Sequence, residues 1–326
     1  MAHAITQVNR VLARKIDGLV RAVSADVARA RRGDETAVHD TRVAARRLRE
    51  ALAIAEAVTP RGEAGRAGRE LRRLRRALGP VREADIVRHL VGVERDRHAW
   101  APAALAALSS ALDAERDTRV RQMSRTLGRL RTTRLRERIH GAAEALRALP
   151  DDRVIRQAMS ARARRRASEL SRAVARVGTL YDPSRLHAVR LAAKKLRYVA
   201  ELAVATVDVD LDASLARLRH VQDALGHLND VRVLSTVTRA VATELVGEDA
   251  QADAVMGVSV DLEVDCRRLH AALVKEVAAL RSLASEISQI LVPALALRPT
   301  RMLKMPASGH GSHTEARRAA AGHRGA

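Results

Sequence analysis

His39, Arg42, Arg46 and Arg49 stand at positions i, i+3, i+7 and i+10, and 148 residues later the same spacing returns as His187, Arg190, Lys194 and Arg197. On a helix that turns about 100° per residue, four such positions share one stripe roughly 80° wide. Each row extends about 15 Å at about 1.5 Å per residue. Guanidinium, ammonium and imidazole groups bring N–H donors and positive charge and, apart from neutral imidazole, no acceptor. Their shared chemistry is the recognition of anions, and two matched rows suit an extended polyanion. Arg47 and Lys195 stand beside the rows at the same offset.

The two histidines have three readings. They can donate to an anion, make structural hydrogen bonds, or ligate a metal. The first is favoured, because a bare cation beside Arg42, Arg46 and Arg49 is electrostatically unfavourable until an anion arrives. Catalysis finds little support: no phosphate loop, no His-Glu-x-x-His and no nucleophile elbow occurs. Asp40 and Asp85 read as ion-pair partners that hold cationic side chains in place. No cofactor or metal is expected.

The rows need helices to carry them. The residues opposite each row are small or apolar: Ala44, Leu48, Ala51 and Leu52 in one copy, Ala192, Leu196, Val199 and Ala200 in the other. A first helix is predicted from Ile5 to Arg31, closed by Gly33, and a motif helix from Glu35 to Val58, stopped by Pro60. Asp182-Pro183 opens the second motif helix as an N-cap followed by proline at N1, and Asp34 is its counterpart. The segment from Ala77 to Ile86 matches Ala224 to Val233 at an offset of 147, with Gly79 and Gly226 predicted to end a helix and turn. Within it Asn229-Asp230 replaces Arg82-Glu83, leaving a contact from Arg82 without a mate. Arg72 and Arg73 correspond to Arg219 and His220, and Arg14 corresponds to Arg162.

Helical periodicity runs through nearly the whole chain and no convincing alternating strand pattern occurs, so the fold class is all-α. The repeat predicts two helical bundles, residues 1–150 and 151–297, related by pseudo-twofold symmetry. Residues 298–326 lack apolar periodicity and read as a disordered basic tail.

Fifty-nine Lys and Arg against thirty-eight Asp and Glu give the 326-residue chain a formal charge of +21, which points to an anionic partner. The chain has no Phe, one Trp and two Tyr. Base stacking is thus poorly provided for, and a nucleic-acid-binding protein is the rival reading. One cysteine excludes an internal disulfide framework. No secretory signal and no apolar run of membrane-spanning length is found, so a cytoplasmic protein without membrane contact is expected.

The motifs from Val38 to Leu52 and from Leu186 to Leu202, with the two Leu-Gly segments, resemble the CHAD family, the conserved histidine α-helical domain. The resemblance spans about residues 5–297. It implies two four-helix bundles around a basic central groove or pore that binds inorganic polyphosphate, and association with polyphosphate granules. The implied contacts are His39, Arg42, Arg46, Arg47 and Arg49 in one half, and His187, Arg190, Lys194, Lys195 and Arg197 in the other. Arg14, Arg72, Arg73, Arg162, Arg219 and His220 are weaker candidates. Some members are fused to a triphosphate-processing barrel with a Glu-x-Glu-x-Lys signature, absent here. The chain therefore resembles the stand-alone, noncatalytic binding type.

Overall fold

A computed structural model describes residues 8–59, 62–95, 100–245 and 249–296. Ile5, Pro60 and the tail assigned to disorder lie outside them. All regular structure among the described residues is helical, in the order α1 (Val8–Arg31), α2 (Glu35–Val58), α3 (Glu63–Arg95), α4 (Pro102–Gly128), α5 (Thr132–Arg147), α6 (Arg153–Ala175), α7 (Pro183–Val204), α8 (Asp212–Glu244) and α9 (Asp249–Ala296).

The ends of the motif helices follow from local chemistry. Gly33 adopts φ 87°, so its amide reaches Ala30 O at 2.9 Å and the Asp34 amide reaches Arg29 O at 3.3 Å. That hydrogen-bond pair satisfies the last carbonyls of α1 with glycine in the left-handed conformation. A Cβ at Gly33 would also approach Val120 to 3.0 Å. Asp34 then caps α2 by accepting from the Ala37 amide at 2.8 Å. Asp182 caps α7 by accepting from the Ser184 and Arg185 amides at 3.0 and 3.1 Å, with Pro183 as the first helical residue. Both motif helices therefore start in the same register relative to their basic rows, and α2 has the bounds expected.

Gly79 and Gly226 do not end helices. Each of α3 and α8 runs for 33 residues straight through its glycine, and α3 also accommodates Pro80. Leu74, Leu78, Val81 and Ala84 continue a buried helical stripe across the Gly-Pro pair. Packing of that stripe outweighs the missing amide and the glycine's low helix propensity. The glycine serves closeness instead: a Cβ there would stand 3.2 Å from Arg42 Nη1.

Each half uses its helices in the same order. Helix α1 packs on α2 and α5, and α3 on α2 and α4; correspondingly α6 packs on α7 and α9, and α8 on α7 and α9. The 48-residue α9 thus spans what α4 and α5 cover together, the first half being broken at 129–131. Contacts of α2 with α6 and α7, of α3 with α8 and of α4 with α9 join the halves around one continuous apolar cluster. The apolar faces opposite the basic rows are buried in it: Leu48, Ala51, Leu196, Val199 and Ala200 are completely inaccessible. Each fully buried Leu or Val contributes about 1.5–3 kcal/mol. Burial of one face therefore fixes which way the other face points.

Candidate anion-binding site

Helix α2 turns His39, Arg42, Arg46 and Arg49 toward a region that also receives side chains of α3 and α7. Arg42 Nη1 crosses to α3 and donates to the Arg75 carbonyl oxygen at 3.1 Å, beside Gly79. Arg75 in turn lies within electrostatic reach of Arg46, Arg49 and Tyr198. Arg46 also feels Arg190 and Lys194 of α7. The two basic rows, 148 residues apart in sequence, thereby meet in one cationic cluster.

Burial and mutual repulsion shape the charge states there. Burial, and then Arg46, Arg75 and Arg82, push the Arg42 guanidinium down to about 10. Burial followed by Arg46 and Arg49 does the same to Arg75, also to about 10. Lys194 falls furthest, to about 7, from burial, then Arg190 and Arg46. Burial lowers Arg49 too, with Arg72 its chief cationic neighbour, and lowers Arg190, which Asp230 partly relieves. His39 is lowered by burial and then by Arg82.

Among the described residues, no carboxylate pairs with Arg42, Arg46, Arg49, Arg75, Arg190 or Lys194 at ion-pair distance. The Nε donors of Arg75 and Arg190 are buried without a hydrogen-bond partner. Half-buried cations without a direct ion-pair partner are costly in isolation. A fold that gathers them is electrostatically incomplete, and an anion that reaches several at once relieves repulsion as well as forming charge-assisted hydrogen bonds.

The remaining candidates are placed differently. Arg47, Arg197 and Arg219 converge on Glu201, at 3.5, 3.9 and 3.8 Å. Arg197 also lies over the Tyr198 ring, 5.2 Å from its centroid. Lys195 lies 4.0 Å from Glu169. His187 Nδ1 is 3.2 Å from Asn229 Oδ1. Arg162 is committed to Glu50 at 2.7 Å, and Arg166 joins the same carboxylate at 2.9 Å. Arg72 lies near enough to Arg49 to repel it. Arg73 faces α4 instead, His220 is exposed and 3.6 Å from Glu276, and Arg14 is exposed on α1. Asp85 is fully buried and holds Arg116 Nε at 2.7 Å, an ion-pair role as expected, though for a cation outside the cluster.

Arg75 was not singled out by the repeat. It shares the α3 stripe with Arg72 and Arg82, and a helix read through Gly79 would have revealed it. Tyr198 and Glu50, which occupy equivalent positions, carry no common signal.

Among solved structures, the fold resembles the CHAD domain from the plant Ricinus communis, with a TM-score of 0.62 and 21% identity over 87% of this chain and 93% of that one. It also resembles PptA from Streptomyces chartreusis, with a TM-score of 0.57 and 18% identity over 87% of this chain and 99% of that one. No curated protein matches. The family model of the CHAD domain matches residues 14–239, well over half of the sequence, and the chain belongs to that family.

Proposed function

We propose that this protein binds inorganic polyphosphate without catalysis, through the cationic cluster of α2, α3 and α7, and that binding places it at polyphosphate granules. The observation that carries the reading is the meeting of Arg42, Arg46 and Arg75 with Arg190 and Lys194, none of them paired with a carboxylate among the described residues. A condensed phosphate chain carries about one negative charge per unit and presents oxygens that match the planar fork of arginine. One exposed charge pair at 4 Å contributes only about 1 kcal/mol in water. A preordered set of cations contributes far more together, because the protein has already met the cost of arranging them and each contact displaces counterions. The scarcity of aromatic residues makes nucleic acid a weaker, charge-driven competitor.

The test is competition at near-physiological salt. Labelled long-chain polyphosphate is displaced by unlabelled polyphosphate, single-stranded DNA or duplex DNA at equal phosphate concentration. Wild type should prefer polyphosphate, and the variant with Arg42, Arg46, Arg190 and Lys194 all changed to Ala should lose that preference. Equal displacement by DNA, or an unaffected variant, would discard the assignment. Phosphate release in the presence of divalent metals would contradict the noncatalytic part.

A further inference from the structure

Helix α3 carries arginine on two sides. Its Arg75 and Arg82 face the central cluster, whereas Arg73 and Arg76 line a separate groove of about 470 Å³ between α3 and α4. Arg119 and Arg129 form the opposite wall, and no lining residue is acidic. Arg119 is held in place, with Nε 2.6 Å from Glu115 and Nη1 donating to Pro80 O at 3.1 Å. Arg73, Arg76 and Arg129 are exposed and make no ion pair among the described residues.

The surface between the two places is also basic. With Arg72 as origin, Arg76, Arg69 and Arg73 follow around the helix at about 40°, 60° and 100°, within two turns. All four are exposed. They make a belt across the ridge of α3 from the cluster side to the groove. The second half lacks it. At an offset of 147, Arg69, Arg73 and Arg76 become Ala216, His220 and Asp223, and His220 lies 3.6 Å from Glu276 of α9.

The geometry points to the α3–α4 groove as a second phosphate-binding segment, occupied by the same condensed phosphate chain after it leaves the central cluster over the Arg72–Arg76–Arg69 belt. This rests on the polyphosphate reading of the cluster. A chain long enough to reach both places gains from the high effective concentration of its own free end, and a short one does not. The groove thus selects for length, and does so in one half of the molecule only.

Calorimetric titration with tripolyphosphate and with long-chain polyphosphate, at equal phosphate concentration, tests it. In the variant Arg73→Ala, Arg76→Ala, Arg129→Ala the ratio of long-chain to tripolyphosphate affinity should fall at least about tenfold. A control with equal loss of charge, Arg21→Ala, Arg172→Ala, Arg267→Ala, should keep the wild-type ratio; all six arginines are exposed, so folding is not at stake. An unchanged ratio in the groove variant, or an equal fall in the control, overturns the proposal. Failure of the cluster reading shows separately: the Arg42, Arg46, Arg190 and Lys194 alanine variant would then bind tripolyphosphate as wild type does, removing the premise.

Discussion

The first half surrounds its central arginine with cations, and the second half dilutes them. Arg42 has Arg46, Arg75 and Arg82 as its principal charged neighbours and Glu83 as a smaller counterweight, whereas at Arg190 the counterpart of Glu83, Asp230, comes ahead of Arg46. Where α3 carries Arg75 and Arg82, α8 carries Gln222 and Asn229 at an offset of 147. His39 is held down by burial and by Arg82, while His187 meets the Asn229 amide. The helix order, the aspartate caps and the apolar faces recur in both halves. The frame of the repeat is kept because packing demands it, and the charge on its exposed side is free to diverge.

The comparison is most sharply broken at the position occupied by Glu50 in α2 and by Tyr198 in α7. Glu50 receives Arg162 and Arg166 of α6, so it ties the first half to the second beside the cluster. Glu50→Ala strands Arg162 and leaves Arg166 with Glu169 alone, at 2.6 Å, and should cost about 3–5 kcal/mol in urea unfolding, the range for breaking a buried pair. Tyr198→Phe should cost under about 1 kcal/mol, since its hydroxyl makes no such bridge. Equal losses would remove the claimed asymmetry between the two positions.

Exchanging Arg75 and Gln222 comes next in size. Arg75→Gln makes the first half resemble the second and should weaken polyphosphate binding by roughly ten- to a hundredfold, as expected for a lost hydrogen bond to a charged group. Gln222→Arg should not bring a gain of that size. The side chain of Gln222 is buried with both polar atoms unpartnered, and a guanidinium there is desolvated with no hydrogen-bond partner in place. Affinity measured by titration decides, and a gain equal to the Arg75 loss would show the halves to be interchangeable.

The smallest effect is one of pH, and it belongs to the second half. Lys194 stands where the first half has Arg46, and it falls to about 7 in the fold against about 10.4 in an unfolded chain. Between these values the unfolded state binds the additional proton, so the ligand-free protein gains stability as pH rises from about 7 to about 10. Polyphosphate binding runs the other way, because the charged ammonium is the form an anion prefers. Affinity should fall a few-fold between pH 6 and 8.5, and Lys194→Arg should flatten the Lys194 part of that decline. An identical decline in the variant would show that Lys194 does not carry that proton.

Much of the frame was legible in order. The Gly33–Asp34 stop and start, the Asp182-Pro183 cap and the apolar faces of α2 and α7 are local or periodic signals, and the helices follow them. Gly79-Pro80 misled, because a Gly-Pro pair is a turn signal only when no buried stripe runs through it. The candidate site was legible as two rows. That Arg47, Arg197 and Arg219 share Glu201, and that Arg73 faces a groove apart from Arg72, was not, since these depend on which helices lie opposite.

The sequence by itself determined an all-α fold, a duplicated basic motif and the outward face of the two motif helices, because propensity, capping and burial act over a few residues or one helical period. Only the tertiary structure decided that the two rows meet, which cations remain without a carboxylate and how far Lys194 is displaced. Those depend on distances between residues far apart in the chain, and electrostatic energies in a half-buried site are set by such distances and by the water excluded around them.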